Sequence, residues 1–358
     1  MNIKDLLNEF NLEYEAESFG NGHINDTYMV KGSQKHTIQK INTFVFKNPE
    51  KLMDNIEAVT SHLRKKIIAN GGDPDRETLT VMKTKDGKNY FKNGDDYYRC
   101  YIFVDDVDVL EGDATGKDLY EAAFAYGKFI NMLADFPAEK LYETIPNFHN
   151  TVSRYADFEK SVAENKSGRA DKVKEEIDFV VARKDCTSVV VNGLKDGRIP
   201  LKVTHNDTKL NNVLFDKVTG KGLCVIDLDT VMPGSALYDF GDALRFAGST
   251  AKEDEKDLSK VEFDLEKFRM FTKGFVDAAK DSLNDYEIEL LPFSVKLMTL
   301  ECGMRFLADY INGDVYFKVH YEDHNLDRCR TQFKLVADME AKEQQMKDIV
   351  KEIINECK

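Results

Sequence analysis

The segment from Thr204 to Asp229 constrains this chain more than any other. It reads Thr204-His205-Asn206-Asp207-Thr208-Lys209-Leu210-Asn211-Asn212-Val213-Leu214-Phe215 and resumes after a turn as Val225-Ile226-Asp227-Leu228-Asp229. The stretch ending at Thr204 reads as a short strand, Val213 to Phe215 as a second and Leu223 to Ile226 as a third, with Lys217 to Gly222 as the turn between the last two. Such a loop flanked by a β-ribbon aims Asp207, Asn212 and Asp227 at a common point. Asn and Asp are ordinary turn formers. An Asp, an Asn five positions on and a further Asp closing an apolar strand make a set that turn chemistry alone does not require.

That set suits phosphoryl transfer. Asp207 can accept the proton of an attacking hydroxyl, while the Asn212 amide oxygen and the Asp227 carboxylate can hold Mg²⁺ against the phosphates of ATP. The ion takes oxygen ligands and keeps places for phosphate and water. The protein-kinase catalytic loop has the same Asp-to-Asn spacing. Asp239-Phe240-Gly241 also spells a kinase metal motif, but Asp239 follows Pro233-Gly234-Ser235 and opens an apolar helix. It is therefore read as a helix N-terminal residue that braces the loop. Asp229 is read as a second ligand, a bridge or a solvated loop carboxylate.

Composition excludes several classes. The chain has 358 residues, enough for two cores, and no apolar run of membrane-spanning length. Its net charge of -14 argues against nucleic acid as a partner. Six scattered cysteines without a CxxC pair read as reduced thiols. The N-terminus lacks the apolar core of a signal peptide. The expectation is a cytoplasmic monomer acting on a small molecule.

The first hundred residues predict a small mixed lobe. Strands are expected at Glu13–Phe19, Thr27–Val30, Thr37–Ile41 and Tyr97–Val104, with a hairpin from Leu79 to Lys92 turning at Asp86-Gly87. A helix is expected from Pro49 to Ile68, with residues 52, 53, 56, 59 and 63 on one apolar face. Gly20 and Gly22 allow close approach of backbone amides to phosphates. No Walker A sequence occurs. Lys40 is expected to touch the ATP phosphates and to pair with Glu57 on the helix. Gln39 takes its place if the strand register is shifted by one. Phe103 and Asp105 are expected at the hinge that holds adenine.

Beyond about residue 108 the periodicity is helical, with helices expected near 115–136, 148–164, 171–184, 186–195, 235–247, 261–282, 287–312 and 328–356. The chain is thus expected to be α+β and two-lobed, protein-kinase-like, with residues 1–104 as the nucleotide-covering lobe and 105–358 as the catalytic lobe.

With these residues in view, the chain resembles the aminoglycoside phosphotransferase and choline kinase superfamily, and within it the N-acetylhexosamine 1-kinases. The closer resemblance rests on Gly20-Asn21-Gly22-His23-Ile24-Asn25, Thr204 to Leu214, Ile226 to Ser235, Glu301 to Tyr310 and Gly313 to Phe317. It implies transfer of phosphate from ATP with Mg²⁺ to the anomeric hydroxyl of N-acetylglucosamine or N-acetylgalactosamine. It further implies that Asp207 takes the anomeric proton, that Asn212 and Asp227 carry the metal, and that His23, Phe246, Arg305 and Tyr316 line the sugar pocket. From the residues alone, Arg305 equally suits an ion pair with Glu301 or Asp309 on its own helix. In this chain Asn206 follows His205 where many superfamily members have Gly.

Overall fold

The structure, a computed structural model, describes residues 3–13, 15–18, 25–110, 112 and 114–357. It divides into two compact units. The first comprises Met1–Glu111, Met132–Pro146 and Asn211–Pro233, and the second Gly112–Asn131, Asn147–Leu210 and Gly234–Lys358. Gly20, Gly22 and His23 lie outside the described residues.

In the first unit, α1 (Ile3–Glu9) precedes β1 (Ala16–Ser18), β2 (Asp26–Val30) and β3 (His36–Ile41). Then come α2 (Pro49–Ala69), the short α3 (Pro74–Glu77), β4 (Phe91–Asn93) and β5 (Asp96–Ile102). The strands form an antiparallel sheet in the order β1-β2-β3-β5-β4. Leu6 and Leu7 of α1 and Phe10 just after it pack with Val30, Ile38 and Cys100 of that sheet. The α2 stripe is as the periodicity predicts: Leu52, Met53, Ile56, Val59 and Leu63 are all buried, and Pro49 opens the helix where its missing N–H costs nothing.

One expectation fails here for an identifiable reason. The Asp86-Gly87 turn forms, with Gly87 at φ +82° and its N–H bonded to Thr84 O. The strand pairing expected across it does not, because both flanks bond to β5 instead: Met82 N–H donates to Cys100 O, and β4 pairs with residues 96–98 around a turn at Gly94. The first unit continues past residue 104, the lobe boundary expected from the sequence. β6 (Val107–Val109) pairs with β8 (Val213–Asp216), and β8 with β9 (Gly222–Val225). The intervening β7 (Lys202–Thr204) belongs to the second unit.

The second unit is helical: α4 (Gly116–Met132), α5 (Thr151–Glu164), α6 (Lys174–Val181), α7 (Val189–Asp196), α8 (Ala236–Ala247), α9 (Leu265–Ala279), α10 (Asp285–Asn312), α11 (His324–Ala341) and α12 (Glu343–Glu356). A single helix over 328–356 is not what forms. The chain bends at Lys342 (φ -100°, ψ 8°), whose ammonium bonds to Phe263 O and to Asp338. This is a tertiary contact, with no Gly or Pro to announce it. α10 opens with an Asn284–Glu287 capping box. Gly241 lets α8 approach it closely: a Cβ there would stand 2.4 Å from Ser294 O. The α+β class, with a small antiparallel sheet and a larger helical part, is as the sequence predicts.

Candidate active site

The loop that carries Asp207 is built in the second unit. β7 is anchored by a buried ion pair, Lys202 Nζ to Glu287 Oε2 at 2.7 Å, and Glu287 also serves the α10 capping box. At the end of β7 the chain turns through Asn206 in the left-handed region, φ 65°, a conformation Asn tolerates better than most side chains. The turn is held from α8. Asp239 accepts from the backbone N–H of His205 (2.8 Å) and of Asn206 (2.7 Å). Asp242 accepts from Thr208 N–H (3.1 Å), and Thr208 Oγ1 donates to Asp239 O (2.7 Å). Asp239 therefore braces the loop, as its position after Ser235 suggested. It is fully buried, and burial pushes its pKa up from 3.8 to about 6, against the lowering influence of His205 and the two backbone donors.

His205 is also fully buried, with Tyr126 and Phe129 at ring-centroid distances of 5.7 and 6.2 Å. Its Nδ1 accepts from the backbone N–H of Asp207 at 3.3 Å, so the ring is tied to the loop as well as packed. Asp207, which follows Asn206, stays partly accessible, and its carboxylate meets Lys209 Nζ at 3.0 Å.

A second network in the same unit runs from this loop to Arg305. His149 Nε2–H donates to Asn206 O (3.0 Å), and its Nδ1 lies 3.2 Å from Glu301 Oε1. Arg305 Nη1 stands 3.8 Å from the same oxygen. Burial opposes both charges of the His149–Glu301 pair, but their mutual field prevails, holding the imidazole pKa above its ordinary value and the carboxyl below it. Arg305 thus has the i−4 partner that the sequence offered, but on a largely buried face. Its guanidinium lies 5.9 Å from the ring centroids of Phe148 and Tyr316 and 5.5 Å from Phe317. Asp309 is engaged elsewhere, accepting from the N–H groups of Val315, Tyr316 and Phe317, which shapes the segment carrying Tyr316. Arg154 bonds to Phe148 O, and burial followed by the charge of Arg305 lowers its pKa. Tyr316 (69% exposed) and Phe246 (55% exposed) are among the most exposed aromatic rings. The structure brings Arg305 and Tyr316 together, whereas Phe246, on the last turn of α8, has no described ring contact with either.

The first unit holds the two expected metal ligands. Asn212 and Asp227 sit at neighbouring strand ends joined by Ile226 N–H to Asn212 O (2.9 Å). Asp227 adopts φ 59°, ψ 56°. An amide oxygen and a carboxylate so placed fit a hard divalent cation that brings phosphate oxygens with it. Among the described residues, no group of three His, Cys, Asp or Glu side chains could hold a metal unaided. Asn55 of α2 fixes the same segment, with Nδ2 donating to Val231 O (3.0 Å) and Tyr142 O (2.8 Å).

The Lys40–Glu57 pair expected from the sequence is not formed. Lys40 binds Asp96 at 2.8 Å, while Glu57 is taken by Lys83 and, at 2.7 Å, by Asn89. Pleat parity is the cause. Gln39 lies directly opposite Arg99, whereas Lys40 lies opposite Tyr98 and shares its face with Ile38 and Cys100. The shifted register is therefore the better description: Gln39 reaches the charged face, and the cation there is Arg99, which sequence reasoning missed. A lone charge inside Tyr97-Tyr98-Arg99-Cys100-Tyr101-Ile102 was the available signal. At the expected hinge, Phe103 N–H donates to Lys35 O (3.0 Å) and Asp105 pairs with Lys35.

Comparison with known proteins agrees with this architecture. The chain is similar in structure to a microcompartment-associated aminopropanol kinase, at 16% identity and TM-score 0.61, covering 96% of this chain and 97% of that one. It is also similar to an aminoglycoside phosphotransferase from Alicyclobacillus acidocaldarius (12% identity, TM-score 0.65, 97% and 96% covered). A third likeness is to an amicoumacin kinase in complex with AMP-PNP, Ca²⁺ and Ami (13%, TM-score 0.59, 96% and 94%). At these identities the shared property is the fold. Residues 15–271, more than half of the chain, match the APH phosphotransferase enzyme family. The chain belongs to that family of phosphotransferases.

Proposed function

We propose that this protein is an N-acetylhexosamine 1-kinase, transferring the γ-phosphoryl group of ATP directly to the anomeric hydroxyl of N-acetylglucosamine or N-acetylgalactosamine. The observation that carries the acceptor class is the charge around Arg305. Two guanidinium groups, Arg154 and Arg305, influence one another beside Glu301, which His149 also engages. Aromatic rings surround Arg305. Such a site repels a cationic amino alcohol and offers donors and ring surfaces to a neutral, oxygen-rich sugar.

Asp207 orients the acceptor hydroxyl and takes its proton as the bond to phosphorus forms. Asp239 and His149 hold the Asp207 loop, so the base does not need to be ordered during the reaction. Arg305 and Tyr316 bind the sugar, with Phe246 as an apolar platform. Asn212 and Asp227 would hold Mg²⁺, which would supply shielding of the charge developing on the ATP phosphates. From the sequence, Gly20 and Gly22 are assigned to the phosphates and His23 to the sugar, with Phe103 and Asp105 assigned to the adenine.

A panel of acceptors with ATP and Mg²⁺ tests the reading. Turnover with either N-acetylhexosamine well above that with choline, ethanolamine, aminopropanol and an aminoglycoside supports it; the reverse order assigns the site to a cationic acceptor.

A further inference from the structure

The least expected side chain in the first unit is Arg99. It sits in the middle of β5 at 1% exposure and is the bulkiest fully buried residue among those described. Burying a guanidinium is costly unless it is paired and hydrogen-bonded. Here Nε donates to Gln39 Oε1 (2.9 Å) and Nη1 to Asp229 Oδ1. The other Asp229 oxygen accepts from Asn25 Nδ2 (2.7 Å), and Asn25 Oδ1 in turn accepts from Asn42 N–H (2.9 Å). Both carboxylate oxygens of Asp229 are thus engaged by donors from the sheet and its loops. Two residues upstream, Asp227 occupies the left-handed region, which a non-glycine residue keeps only when its surroundings hold it there.

From this geometry we infer that Arg99 and Asp229 act as positioning residues for the nucleotide, Asp229 being an anchor and not a metal ligand. The buried Arg99–Asp229 pair fixes the Asp227 turn in its ligating conformation. Arg99 also offsets one of the two negative charges, on Asp227 and Asp229, that lie two residues apart beside bound phosphates. Arg99 thereby fills the charged position on this sheet face that Lys40, on the opposite face, cannot. Burial opposes the charge on Arg99, but the fields of Asp229 and, more weakly, Asp227 outweigh it, so the guanidinium is held more firmly protonated than usual.

The inference rests on the nucleotide site proposed above, so the test begins with the wild type. Binding of a fluorescent ATP analogue is measured with and without Mg²⁺, together with urea midpoints and the acceptor KM, for wild type, Arg99→Lys, Arg99→Met and the Arg99→Met/Asp229→Asn double variant. Arg99→Lys, which keeps the charge, is expected to stay within about threefold of wild-type Mg²⁺–nucleotide affinity, and Arg99→Met to lose about tenfold or more. The double variant leaves no unpaired buried charge, so its urea midpoint should recover while its nucleotide affinity does not, with acceptor KM unchanged throughout. Wild-type affinity in a folded double variant, or equal loss in Arg99→Lys and Arg99→Met, overturns the positioning role and leaves the kinase reading intact. A wild type that binds no nucleotide overturns both.

Discussion

Replacing Asp239 by asparagine should change the pH dependence of stability by an amount that can be worked from the structure. Asp239 is buried, holds the backbone of His205 and Asn206 through two short hydrogen bonds, and has a folded pKa raised from 3.8 to about 6. A carboxyl whose folded pKa is raised contributes stability that is whole below its unfolded value and is lost as pH rises through the folded one. A gap of about two pH units at about 1.4 kcal/mol each gives a loss of about 3 kcal/mol between pH 4 and pH 7. A side-chain amide in the same place cannot ionise and lacks that slope. It instead leaves one buried N–H without an acceptor, a pH-independent cost of about 1–3 kcal/mol. Urea unfolding of wild type and Asp239→Asn across that range isolates the term, because every other titrating group, His149 included, is common to both proteins. The wild-type advantage should shrink by about 3 kcal/mol from pH 4 to pH 7. Parallel curves would refute the burial argument and, with it, the assignment of Asp239 as the desolvated anchor of the loop.

Three further outcomes are expected. Asp207→Asn should keep its fold and ATP affinity and lose about 10²–10⁴-fold in kcat, measured by coupled ADP release; near-wild-type turnover removes Asp207 as the base. Arg305→Ala should raise the acceptor KM about tenfold or more and leave the KM for ATP unchanged, which steady-state kinetics with each substrate varied will decide. Gly234→Ala should cost about 1–3 kcal/mol in urea unfolding, because its Cβ would stand 2.3 Å from the Oγ1 of fully buried Thr204, which bonds to Asn206 Oδ1; an unchanged midpoint would mean the loop is less tightly packed than described.

How much of this the sequence disclosed depends on the range of the interactions involved. The α2 stripe, the strands leading to Asp207 and Asp227, and the role of Asp239 were legible because each follows from local periodicity or from a cap beside a turn. Lys40 was misread because strand alternation gives two faces and the sequence does not say which one meets the 227–229 segment. Only the pairing of Gln39 with Arg99 decides that. His149 was invisible for a related reason. Its neighbours in sequence are ordinary, and its importance comes from Glu301 and Asn206, 152 and 57 residues away. The bend at Lys342 escaped because the residues there are good helix formers, and its cause is a bond to Phe263 O. Long-range polar contacts between residues of ordinary local sequence account for the rest of the site that went unread.

The central claim is transfer to the anomeric oxygen, and the position of the new phosphate tests it most directly. With N-acetylglucosamine and ATP, the account predicts loss of the sugar's reducing end in step with ADP formation and a phosphorus resonance coupled to the proton on C1. A product that remains a reducing sugar, with phosphorus coupled to protons at C6 or C3, would contradict it.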